Sequence, residues 1–165
     1  GVPPAPRDPF AEFVPMRALQ HWDRERGFVP CASAEPLADL YMCWSPKAVY
    51  LGLYALDITE NAFYRGQSVP KADRAQWVLQ VPGREPLRIR LGSGREPLLN
   101  DPAVRVEHLS GVNLTVRSIT ALELTAAQLG RKRFRAGDRL QLDASFTTHG
   151  QCYRMVWAGD FVLAK

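Results

Sequence analysis

Apolar and polar positions are patterned most clearly between Ala38 and Val81, which read ADLYMCWSPKAVYLGLYALDITENAFYRGQSVPKADRAQWVLQV. Three strand-like runs lie there. The first ends at Trp44, and Ser45-Pro46-Lys47 turns the chain into the second, AVYLGLYALDI, which is apolar on both faces and closes on the acidic Asp57. A strand apolar on both faces belongs inside a two-layer β structure. Its period of two puts Val49, Leu51 and Leu53 on one side, filling a core, and Tyr50, Gly52 and Tyr54 on the other. A glycine in mid-strand weakens the strand unless a neighbour passes close over it, so a large aromatic is expected to cover Gly52. Open solvent there would instead make the two tyrosines ligand platforms. The third run opens with Asp73 and alternates through Gln76, Val78 and Gln80.

The same rhythm continues to the end of the chain. Strands are expected near 38–44, 47–58, 74–82, 85–91, 103–108, 112–119, 120–124, 138–147 and 151–158. FAEFVPM reads as a first edge strand, because Pro15 is tolerated only at an edge. Arg17 to Arg26 fits a helical turn or loop around Trp22, and GFVPCA a short extended piece. Pro82-Gly83 makes a hairpin of the third and fourth main strands, and His149-Gly150 closes another. TAAQLG predicts a single helical turn, begun by a Thr cap and ended by Gly. Short strands, close turns and no long amphipathic helix predict an all-β fold. The expectation is a two-sheet antiparallel β-sandwich, jelly-roll or immunoglobulin-like, with at most short helical turns. It would occupy residues 10–165 as one domain, behind a stiff Pro-rich lead-in or linker at 1–9.

Composition narrows the function. Hydrophobic residues make up 46% of the 165, enough for a real core and too many for global disorder. No run approaches the ~18 apolar residues of a membrane helix, so no membrane partner is expected. GVPPAPRDPF has neither the basic start nor the apolar stretch of a signal peptide. The net charge of +4 is spread along the chain, with its densest cluster at Arg131-Lys132-Arg133-Phe134-Arg135. A polyanion could contact that cluster, but one short run is not a stripe along a face. It is read as a solvated loop, and no nucleic-acid partner is expected.

The three cysteines, Cys31, Cys43 and Cys152, are too far apart for a zinc knuckle or a redox pair. Cys43 and Cys152 stand in strand-like runs, where a thiol packs as a small hydrophobe; a single disulfide, with Cys31 as one partner, stays open. Asp57, Glu60 and Asn61 form an acidic patch that offers oxygen ligands to a structural calcium or serves simply as surface turn. No nucleophile elbow, zinc-protease helix or phosphate loop is present, and nothing brings two carboxylates together, so no enzyme is expected.

The run ADLYMCWSPKAVYLGLYALDI, the later ADRAQWVLQV and the late ALELTAAQLGRKRFRAGDRLQLDASF together resemble the family-9 carbohydrate-binding modules and their DOMON-like relatives. The resemblance spans roughly Phe10 to Phe161 and implies a non-catalytic module that binds a mono- or oligosaccharide. It also implies a periplasmic or extracellular location and a chain tethered to or docked on a larger protein. Sugar recognition needs aromatic faces and planar polar groups. Gln76 stands where the family carries an acidic sugar contact, with Trp77 beside it; Trp77 alternates away from Gln76 and suits a core position first. An Arg on the next strand reaches the ligand in the family; here Arg88 and Arg90 share one face by alternation. Tyr64 falls where the family places one wall of an aromatic clamp, and Trp157 or His149 would supply the other. Two alternatives follow from the same resemblance. A DOMON-like electron-transfer domain would hold haem b, with Met42, Met155, His108 and His149 as the only axial sources. A structural or inter-domain sandwich would have lost its ligand, which the Gln at position 76 favours.

Overall fold

The computed structural model describes residues 1–7, 28–29, 38–56, 74–92, 104–112, 117–148 and 153–165. Among these are nine strands: β1 (Phe28–Val29), β2 (Ala38–Trp44), β3 (Ala48–Leu56), β4 (Arg74–Gln80), β5 (Leu87–Gly92), β6 (Arg105–Val112), β7 (Arg117–Thr125), β8 (Arg139–Thr148) and β9 (Tyr153–Val162). They form two antiparallel sheets, ordered β1-β2-β3-β7-β6 and β5-β4-β8-β9. The fold is the all-β sandwich that the alternation predicts. The first edge strand expected at 10–16 lies outside the described residues, as does the turn or loop expected at Arg17 to Arg26.

Alternation sorts the side chains. Leu40, Met42 and Trp44 on β2 stand in register with Leu53, Leu51 and Val49 on β3, and the β3 residues with Thr120, Leu122 and Leu124 on β7. All of these are buried. In the other sheet Ala75, Trp77 and Leu79 face inward beside Phe146, Ala144 and Leu142 of β8. One row reads Ile89–Trp77–Ala144–Trp157 across four strands, so two indoles flank one methyl group. Large beside small is how facing layers interdigitate without voids. The β3 expectation holds: Val49, Leu51 and Leu53 are core, while Tyr50 and Tyr54 are half-buried on the other face. Gly52 between them is buried and paired with Tyr41 and Ala121, so that face is not an open groove.

Two sequence boundaries differ. The end of the strand expected at 112–119 and the strand expected at 120–124 are one strand, β7, which pairs with β3 without interruption from Arg117 to Thr125; residues 113–116 lie outside the described residues. Ser118 and Thr120 resemble turn residues locally, but nine consecutive partners on β3 hold them extended. β6 runs on to Val112, with a register shift between Ser110 and Val112. The Pro82-Gly83 hairpin forms as expected: Arg84 N–H donates to Val81 O at 3.0 Å and Gly83 has φ +75°, the pattern of a type II turn.

The opening residues, expected as an extended lead-in or linker, are docked against the sandwich. Val2 is 3% exposed and bridges Leu163, while Pro4 bridges Trp44. Val2 N–H donates to Val162 O and Ala164 N–H to Val2 O, both at 2.8 Å, and the Trp44 indole N–H donates to Ala164 O at 3.0 Å. The end of β2 in one sheet is thereby joined to the end of β9 in the other. The Cys43 side chain is buried; Cys31 and Cys152 lie outside the described residues.

Leu51→Ala should lower unfolding free energy by ~2–5 kcal/mol through lost burial and a cavity. Ala144→Leu should cost ~1–3 kcal/mol by overpacking the space between the indoles. Urea denaturation measures both; a near-neutral result for either would remove that row from the centre of the core.

Candidate functional site

The residues of β4, β5, β8 and β9 that do not enter the core make a polar face. Register places Arg90, Gln76 and Ser145 in one row, and Arg88, Val78, Asp143 and Ala158 in the next. Gln80, Gln141 and Asp160 make a third. Arg88, Arg90, Gln141, Asp143, Ala158 and Asp160 are exposed; Gln76, Val78, Gln80 and Ser145 are half-buried. A shallow depression of about 320 Å³ lies here, lined by Val78, Gln80, Gln141, Leu142, Asp143, Ala158 and Gly159. That volume is at the lower end for small-molecule sites, ~300–1,000 Å³. Val78, Ala158 and Gly159 give it an apolar part, and Gln80, Gln141 and Asp143 give it amide and carboxylate groups. The Gln80 side-chain amide donates to Arg84 O at 2.6 Å, which fixes its orientation. A pyranose presents the same mixture of C–H faces and vicinal hydroxyls, and planar amides and carboxylates bond such hydroxyl pairs.

The alternation argument thus brings Gln76 and Arg90 together as register partners, with Arg88 one row away beside Val78. Trp77 and Trp157 require correction as ligand contacts. Each is 2% exposed and packs in the inter-sheet core, so neither offers a ring face to a ligand. The physical reason is volume: the indoles fill the space either side of Ala144 that a two-sheet core must close. Tyr64, His149, Asp57 and Glu60 lie outside the described residues. Among the described residues no group of three His, Cys, Asp or Glu side chains is placed to hold a metal ion, and no helix is long and apolar enough to cross a membrane. Of the proposed haem ligands, Met42 is 1% exposed within the core. His108 is in β6 opposite Thr120, and Met155 is in β9 opposite Phe146.

The sequence reading missed Gln141, Asp143 and Ser145. Their signal was present, since RLQLDASF alternates Leu140, Leu142 and Ala144 with polar residues. What local pattern lacks is the pairing of β8 with β4, which lie far apart in the chain.

No protein-family model and no curated protein matches the sequence. Solved structures do match in fold. A family-9 carbohydrate-binding module from Caldicellulosiruptor kristjanssonii in complex with glucose superimposes with a TM-score of 0.61 at 11% identity, over 88% of this chain and 87% of that one. A family-9 module from the same organism in complex with cellotriose gives 0.57 at 12%, over 84% and 81%. A Bacteroides uniformis protein, named as a candidate carbohydrate-binding protein, gives 0.52 at 5%, over 95% and 87%. The chain shares the two-sheet sandwich fold of these three structures. The resemblance read from the strand motifs is therefore present in three dimensions, at the level of the sandwich.

The face and the core make opposite predictions for neighbouring residues of β4. Gln76→Ala, and likewise Arg88→Ala on β5, should change stability by no more than ~0.5 kcal/mol. Trp77→Ala should cost ~3–5 kcal/mol. Thermal melts of the three variants test the assignment, and equal losses at Gln76 and Trp77 would contradict it.

Proposed function

We propose that this chain is a non-catalytic carbohydrate-binding module that takes a neutral mono- or oligosaccharide on the outer face of the β5-β4-β8-β9 sheet. One observation carries the reading. On a fold shared with modules solved with glucose and cellotriose, a depression with an apolar part is bordered by Gln80, Gln141 and Asp143. The Gln76–Arg90 pair continues that face one row beyond Val78. Among the described residues the face rows hold no aromatic side chain, so hydrogen bonds to hydroxyls supply the specificity and the aliphatic groups of Val78 and Ala158 the apolar contact. Among the described residues Asp143 is the one carboxylate lining the depression. The usual hydrolysis of a glycoside uses two facing carboxyl groups, which favours binding without chemistry.

Isothermal titration with glucose, cellotriose and a panel of other neutral sugars tests the proposal. Binding is expected with at least one, and Gln141→Ala and Asp143→Ala should each weaken it by about tenfold, or ~1.4 kcal/mol. Absence of heat and of thermal shift across the panel would sink the reading. Binding that both variants leave intact would move the site off this face.

A further inference from the structure

We infer that the 130–138 loop and the β4–β5 turn form a second site, which binds the sulfate or carboxylate groups of an acidic glycan. The two segments are distant in sequence and meet around a pocket of about 500 Å³. It is lined by Arg84 from the turn and by Gly130, Arg131, Lys132, Arg133, Arg135 and Asp138 from the loop. Read along the chain, 131–135 is a solvated run. In three dimensions Arg84 joins it, and five cations share one concavity with a single carboxylate. Five of the chain's 21 basic residues and one of its 17 acidic residues are gathered there, so the remaining 16 of each sign cancel. The whole formal charge of +4 is carried by this lining. Cations concentrated in a cleft raise the local concentration of anionic ligands. Four of the five are arginines, whose planar forks match sulfate and carboxylate oxygens in pairs.

The pocket is built in advance of any ligand. Thr125 and Gln128 cap the preceding turn reciprocally: Gln128 N–H donates to Thr125 Oγ1 at 3.3 Å, and Thr125 N–H to Gln128 Oε1 at 2.8 Å. The turn ends with Arg131 N–H on Ala126 O at 2.8 Å and Gly130 N–H on Ala127 O at 3.0 Å, with Gly130 at φ +71°. A side chain at Gly130 would meet Arg84 Cδ at 3.1 Å, so this glycine lets the Arg84 stem lie against the loop. Phe134, 1% exposed, anchors the loop's middle. Asp138 holds its far end, accepting from Arg135 N–H at 2.8 Å and from the Arg131 guanidinium at 3.2 Å. That carboxylate takes one end of Arg131 only. Arg131 Nε is shielded from solvent and has no hydrogen-bond partner. A buried donor left unpaired is unfavourable.

Among the described residues the lining contains no aromatic ring of the kind on which single-stranded nucleic acid stacks its bases. The choice of a glycan rests on the carbohydrate reading above. Gln80 links the two places, since it lines the depression and donates to the backbone carbonyl of Arg84.

The test is titration of the full chain with a heparin-derived hexasaccharide, carrying sulfates, and with hexagalacturonate, carrying carboxylates only. Binding of either supports the site and names the oxyanion, and it should weaken as salt is added. Lys132→Ser/Arg133→Ser/Arg135→Ser should reduce affinity by about tenfold or more, and Arg84→Ser alone by about threefold or more. Lys132→Glu, at an exposed position, provides a milder variant should the triple change fold poorly, and it too should weaken binding. The inference is overturned if neither acidic oligosaccharide binds, or if the loop variants bind as the parent does. It is equally overturned if a single-stranded DNA of matched charge binds as tightly. Cellotriose titrated in parallel separates this outcome from the fate of the neutral-sugar site: each ligand can fail while the other binds.

Discussion

Two indoles of the β5-β4-β8-β9 sheet have to be accommodated in the core, and the placement of the polar face follows from that. Trp77 and Trp157 both face inward and are separated only by Ala144. Burying them commits β4 and β9 to one orientation, because a strand that slips by one residue exchanges its faces. Once Trp77 is inside, Gln76 and Val78 are outside, and the register with β5 and β8 brings Arg88, Arg90, Asp143 and Ser145 beside them. The polar face is thus a consequence of how the core is filled.

A sandwich must also be closed where its sheets part, and here the closure is made by backbone. Ala126 N–H donates to Lys47 O at 2.8 Å and Phe134 N–H to Pro46 O at 2.9 Å, so the loop after β7 is fixed on the β2–β3 turn. At its other end Gly137 N–H donates to Leu163 O and Leu163 N–H to Asp138 O, at 2.8 and 2.9 Å. The docked Val2 adds its own bonds to the residues flanking Leu163. This seam stitches the ends of the two sheets together with hydrogen bonds that cannot be exchanged for water without opening the core. The same bonds hold the basic loop in place, which is why its cations are gathered and not dispersed.

The two proposed binding surfaces differ in their physics. On the sheet face amides and a carboxylate border aliphatic groups, an arrangement matched to neutral hydroxyls. At the seam the lining is almost wholly cationic and is matched to oxyanions. Of the aromatic residues expected to meet a ligand, Trp77 and Trp157 belong to the core, while Tyr64 lies outside the described residues. A strand aromatic opposite a polar neighbour serves packing first, because so small a core cannot leave a large ring unburied.

The sequence by itself determined much of this protein. Period-two alternation in AVYLGLYAL assigned the core face of β3 residue by residue, and the bounds of β2 at 38–44 were read as they stand. Pro82-Gly83 and TAAQLG specified their turns, because the chemistry of a turn lies within four to six consecutive residues. Tertiary structure decided what depends on distant partners. Nine bonded positions on β3 joined the end of one expected strand to the next as β7. The pairing of β8 with β4 brought Gln141 and Asp143 to the face. The packing of the 130–138 loop against the β4–β5 turn brought Arg84 to a cluster forty-seven residues further along the chain. Local patterns report which way a side chain points; only the closed core decides what it points toward.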